Sequence, residues 1–190
     1  MKSAEVYRLV REAFDPWAKE VGFKRGRSGM LTYARPEADR TSFQTFWFQC
    51  SQDGWDPFAG SKFTLEFQKA AEPEPGHGGR RDRFNRLLSA AERERVRTLQ
   101  NAVIRKLTRP PRDHWVHSAA DDLKRWYLAR FDEDGTPYRD SDDVWLRYGD
   151  EADVRAWAQF LLQLVPRMLD DFSATRRSGA YHGVAANDRR

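Results

Sequence analysis

The sequence predicts an α+β fold: an antiparallel sheet of about four to five strands packed against N- and C-terminal helices, with a basic helical insertion. Three observations carry this reading. Within residues 61–69, Phe63, Leu65 and Phe67 alternate with Lys62, Thr64, Glu66 and Gln68, the period of two of a strand with one buried and one wet face. Residues 41–52 put Phe46, Phe48 and Cys50 on one face and Phe43, Thr45 and Trp47 on the other. A strand apolar on both sides belongs inside a sheet. Residues 150–172 repeat apolar side chains at helical spacing from Val154 through Trp157, Leu161 and Val165 to Phe172.

Taken in order, the chain opens with a helix capped near Ser3, with Val6, Leu9, Val10, Ala13 and Phe14 on one face. Pro16 is expected to kink it and Gly22 to close it. Residues 23–29 form a basic turn into a short strand at 30–35. Gly26 and Gly29 match no phosphate-loop spacing, and the stretch precedes a strand where such loops open a helix, so it reads as a turn with solvated cations. In the loop 51–60, Trp55 and Phe58 either fold back over the sheet edge or stand as binding contacts. Trp47 either packs under a helix or lines a shallow groove. Residues 72–79, rich in Pro and Gly, form a linker.

Beyond the linker, 80–88 reads as a short basic helix with Phe84, Leu87 and Leu88 inward. Ser89 and Glu92 make a capping box for a second helix that carries Val96, Leu99, Val103 and Leu107 and stops at Pro110-Pro111. His114 and His117 share a helical spacing, but no further ligand completes a zinc set, so no metal is expected. Residues 119–131 fit a helix, with a strand at 125–131 as the competing assignment. The acidic runs at 132–134 and 140–143 miss the register of a calcium loop and read as solvated turns. A strand at 144–148 then leads to the last helix, capped by Asp150 and kinked at Pro166. The tail 173–190 loses periodicity and is expected to be disordered.

One domain over 1–172, with 76–112 as its basic insertion, suits a chain of 190 residues. Lone Cys50 excludes a disulfide within the chain and reads as a small buried hydrophobe. Neither a signal peptide nor an apolar run long enough for a membrane span is legible, so a cytoplasmic protein is expected. The 26 arginines against 7 lysines point to a GC-rich bacterial genome. Charge is unevenly placed: 76–112 holds 11 basic and 3 acidic residues, a balance of +8, whereas 113–190 holds 11 basic and 15 acidic, a balance of −4.

The run Phe14-Asp15-Pro16-Trp17 through Gly22-Phe23-Lys24-Arg25, followed by a strand pair ending Phe63-Thr64-Leu65-Glu66-Phe67, resembles the bacterial domain-of-unknown-function family numbered 4304. Trp145-Leu146-Arg147-Tyr148 and the helix after it resemble that family's C-terminal part. The resemblance covers about half the chain and implies an α+β fold. It implies no catalytic residue, and the insertion at 76–112 departs from the family's compact pattern.

No spacing among Cys50, His114, His117 and the carboxylates marks a catalytic set, and no cofactor motif is present. The leading reading is a non-catalytic protein-interaction module, immunity-protein-like by fold analogy, that meets an acidic partner protein through its basic segment. Candidate binding residues are Trp47, Trp55, Arg80, Arg81, Arg83, Arg93 and Arg97. A nucleic-acid-binding protein is the alternative, with the cations of 80–112 tracking phosphates and Trp47 stacking on bases. An enzyme whose groups converge only in space is the third reading.

Overall fold

A computed structural model describes residues 1–174 apart from Ser28, Asp39 and His77. Its sheet is antiparallel and six-stranded, in the order β1 (Lys24–Arg25), β2 (Leu31–Pro36), β3 (Phe43–Cys50), β4 (Ser61–Ala70) and β5 (Arg80–Arg83). The sixth strand, β6 (Leu146–Tyr148), pairs with the start of β4 while β5 pairs with its end. β3 and β4 are therefore central, as the two apolar faces of 41–52 predict for β3.

Among the described residues four α-helices accompany the sheet: α1 (Ser3–Glu20), α2 (Ala90–Lys106), α3 (Asp121–Leu128) and α4 (Glu151–Ala174). α1 follows Lys2, whose backbone N–H donates to Glu5, and Pro16 lies within it without ending it. The Ser89–Glu92 capping box opens α2 as expected. Asp150 accepts from the Asp153 N–H at the start of α4. Residues 121–128 are helical, which decides the 119–131 alternative. Of the tail expected to be disordered, Ser173 and Ala174 end α4 and the remainder lies outside the described residues. Among the described residues, no helix is long and apolar enough to cross a membrane.

The helical layer covers one face of the sheet. Register places Tyr33, Phe46 and Phe67 in one row and Leu31, Phe48 and Leu65 in the next. Phe14 of α1 meets the Phe48 ring at 5.0 Å and the Phe46 ring at 6.1 Å. Phe172 of α4 meets Phe67 at 6.1 Å, and Gln44 donates to the Leu169 carbonyl at 3.0 Å. Each such ring, fully removed from water, contributes about 1.5–3 kcal/mol. This apolar face is the reason the sheet and the terminal helices fold together.

Two expectations about the other face are corrected. Residues 80–88 are not a basic helix: 80–83 form strand β5 and Phe84–Leu87 a single 3-10 turn. The open edge of β4 offers ladder hydrogen bonds, and this tertiary pairing outweighs a short segment's weak helical preference. Nor is the second face of β4 wet. Thr64, Glu66 and Gln68 are each at most 2% exposed. Two loops cover them: the Pro73 carbonyl accepts from Thr45 Oγ1 at 3.1 Å, and the Val144 carbonyl accepts from Thr64 Oγ1 at 3.3 Å. Thr45, Thr64, Glu66 and Gln68 find partners there, which is why a face that reads as solvated can be buried.

Candidate interaction face

On the covered face of the sheet, Trp47, Glu66 and Arg83 lie in one cross-strand row, with Gln68 and Arg81 in the next. Arg81 Nε donates to Glu66 at 2.5 Å, and its guanidinium lies 4.9 Å over the Trp47 ring. Arg83 reaches Glu66 at 3.3 Å and also pairs with Asp143. Trp47 is thus 1% exposed and lines no groove. Arg80 donates to the Phe172 carbonyl and stacks on that ring at 3.9 Å. Arg93 pairs with Asp140, and Arg97 pairs with Glu94 and donates to the Asp134 carbonyl.

The same pattern continues at the end of α2 and just beyond it, where Arg105 meets Glu133 at 2.9 Å and Arg109 meets Asp132 at 3.1 Å. The acidic run that follows the basic segment in sequence folds back against it. The charge balance of +8 is therefore largely answered within the chain, and Arg80, Arg81, Arg83, Arg93 and Arg97 do not present a bare cationic surface. Of the sequence candidates, Trp55 alone stands outward as a large apolar side chain, 37% exposed and stacked on Tyr148 at 5.9 Å.

A different surface emerges from residues 113–131. Trp115 is 50%, Leu123 45% and Trp126 52% exposed. They are held outward because the opposite sides of the same segments are anchored. Val116, Tyr127 and Phe131 join Ala59 in a small second core. The Tyr127 hydroxyl donates to Asp56 at 2.9 Å. With Tyr127 and Phe131, four apart, turned inward, Leu123 and Trp126, three apart, share the outward face of α3. His114 packs edge-on against Phe58 at 5.1 Å, and its Nδ1 accepts from the Val116 N–H. Its role is in packing and capping, and among the described residues no group of three or more potential ligands gathers for a metal.

Arg130 joins this apolar surface to a small cleft. Its guanidinium lies 4.3 Å over Trp126 and 3.6 Å from Asp53. Lys62 reaches the same carboxylate at 3.1 Å, and Arg147 donates to the Arg130 carbonyl at 2.7 Å. Together with Gly60 these groups line a cavity of about 60 Å³. Two cations thus flank one carboxylate, and a third, Arg147, lines the same cleft. The hydrogen bond from Lys62 holds the Asp53 carboxyl below its usual range, and the charges of Lys62 and Arg130 add to it against a small opposing effect of burial. At Asp56 burial works against ionisation, but bonds from the Ala59 and Phe58 amides and from Tyr127 prevail and lower its pKa. Gly60 fixes the loop to β6: at φ +63° its Cα packs so closely that a Cβ would lie 2.2 Å from the Tyr148 carbonyl oxygen.

Sequence reasoning missed Trp115, Leu123, Trp126, Lys62, Arg130 and Arg147. The spacing of Leu123 and Trp126 was legible, but two apolar stripes compete on one short helix, and only the Tyr127–Asp56 bond decides which turns inward. At half-buried Cys50 burial pushes the thiol pKa up, the opposite direction from an activated thiolate. Compared with family models, curated proteins and solved structures, the chain matches none.

Proposed function

We propose that the protein is a non-catalytic interaction module that docks an acidic partner protein on the surface formed by Trp115, Leu123 and Trp126 and the cationic cleft beside it. The observation that carries this reading is the pair of half-exposed tryptophans, with Arg130 stacked on one of them. Tryptophan and arginine are the residues in which interface binding energy concentrates, and aromatic residues with arginine are enriched where proteins meet. Lys62, Arg130 and Arg147 outnumber Asp53 in the adjoining cleft, which suits an acidic contact at the edge of an apolar one. Immunity proteins, which neutralise toxins by binding them, are the fold-level analogy.

The test is a photoreactive amino acid placed at Leu123 in the full chain within living cells. The expected product is an adduct with an acidic protein. Trp126→Ala and Arg130→Ala should each reduce that adduct, and weaken affinity for the purified partner about tenfold, the loss of roughly 1.4 kcal/mol at one contact. An adduct with nucleic acid, or one indifferent to both substitutions, would overturn the proposal. The first of those outcomes would favour the phosphate-tracking alternative.

A further inference from the structure

Arg25 at the end of β1 and Gly26, Arg27 and Gly29 of the turn to β2 line one cleft, and folding brings Arg11 of α1 to it. Ala4, Tyr7, Met30 and Leu31 also line it, and its cavity volume is about 380 Å³. Among the described residues no carboxylate lines it. Asp15 stands behind, 3.7 Å from Arg25, and is already engaged by the Tyr33 hydroxyl at 2.6 Å.

Elsewhere on this molecule arginines commonly answer a carboxylate, as at Arg8, Arg81, Arg93, Arg105 and Arg167. Among the described residues, neither Arg11 nor Arg27 has a carboxylate within ion-pair distance. Asp15 answers Arg25 alone, so the three cations outnumber their counter-charge and repel one another, and a bound oxyanion removes that repulsion. The guanidinium fork matches phosphate oxygens two at a time. A cavity of this size lies at the small end of the range for small-molecule sites, roughly 300–1,000 Å³. It offers more room than one orthophosphate needs, and its walls are too polar for a large apolar ligand.

We propose that this cleft binds a small soluble molecule carrying a pyrophosphate group, with Arg11, Arg25 and Arg27 as the phosphate contacts. The inference does not rest on the docking face, since Trp115, Trp126 and Arg130 lie outside this cleft. The probe is inorganic pyrophosphate titrated calorimetrically into the full chain, with orthophosphate and sulfate as comparisons. Saturable one-to-one binding is expected, tighter than for either comparison anion. Arg11→Ala and Arg27→Ala should each weaken it about tenfold, the loss of one charge-assisted contact. Arg112→Ala, at an exposed position outside the cleft, and Trp126→Ala should leave it unchanged. Arg27 is exposed and makes no ion pair among the described residues, so that variant keeps its fold, and its melting temperature verifies this. Absence of saturable binding by about 1 mM pyrophosphate, a Kd that corresponds to only ~4 kcal/mol, would overturn the proposal. So would an equal loss on Arg112→Ala, which marks diffuse attraction to net charge.

Discussion

Replacing Trp47 and Trp126 in turn separates a buried tryptophan from a binding one. Trp47 is 1% exposed on the face of β3 remote from α1, beneath Arg81. Truncating a fully buried tryptophan to alanine costs about 3–5 kcal/mol through lost contacts and the cavity left behind. The Arg81 guanidinium over its ring adds about 0.5–2 kcal/mol. Trp47 Nε1 has no acceptor among the described residues, so Trp47→Ala strands no polar partner and its effect is one of packing. We expect a loss of about 4 kcal/mol, which at a urea slope of about 1–3 kcal/mol/M moves the unfolding midpoint down by more than about 1 M. Trp126 is half exposed, and the contact it makes with Arg130 is on the surface. Trp126→Ala should therefore change stability by less than about 1 kcal/mol. Urea titrations of the two variants followed by circular dichroism decide the matter. A Trp47→Ala variant within 1 kcal/mol of the parent would refute the reasoning, because it would mean that the second face of the sheet is open to water.

Three further outcomes follow from named contacts. Gly60→Ala should destabilise the chain by about 2 kcal/mol or more, since the new Cβ meets backbone and φ is positive; calorimetry should show the melting temperature falling by about 4 °C or more, at roughly 2–4 °C per kcal/mol for a chain of this size. At Glu92, burial opposes ionisation, but hydrogen bonds from the Ser89 backbone and hydroxyl and the charge of Arg167 outweigh it and lower the pKa. A depressed carboxyl contributes stability that is complete above its unfolded pKa of about 4.3 and is lost as pH falls through the folded value. Glu92→Gln should flatten the acid limb of a plot of urea midpoint against pH, and an unchanged limb would remove Glu92 from that account. Burial pushes Tyr7, Tyr127 and Tyr148 each up to about 12. Against an unfolded value near 10, that stability is complete below about pH 10 and disappears as pH climbs toward 12. Ultraviolet titration of a Tyr181→Phe chain should find these phenols ionising together with unfolding, and free ionisation near pH 10 in the folded chain would contradict their burial.

Much of the architecture was written in local pattern. Alternation in 61–69, the doubly apolar strand at 43–50, the Ser89–Glu92 box and the stripe of α4 all depend on neighbours within a few residues, so the chain alone dictates them. The extra strand β5 was not legible, because four residues of mixed charge have no strong preference until the edge of β4 accepts them. The candidate site moved for a related reason. Eleven cations in 76–112 can be counted from the sequence, but the carboxylates that answer Arg83, Arg93, Arg105 and Arg109 come from 23 to 60 residues downstream, and only folding brings them close. Ion pairing and the covering of a polar sheet face act through space between distant segments, so the tertiary structure decided which tryptophans reach water and which arginines are left to bind something else.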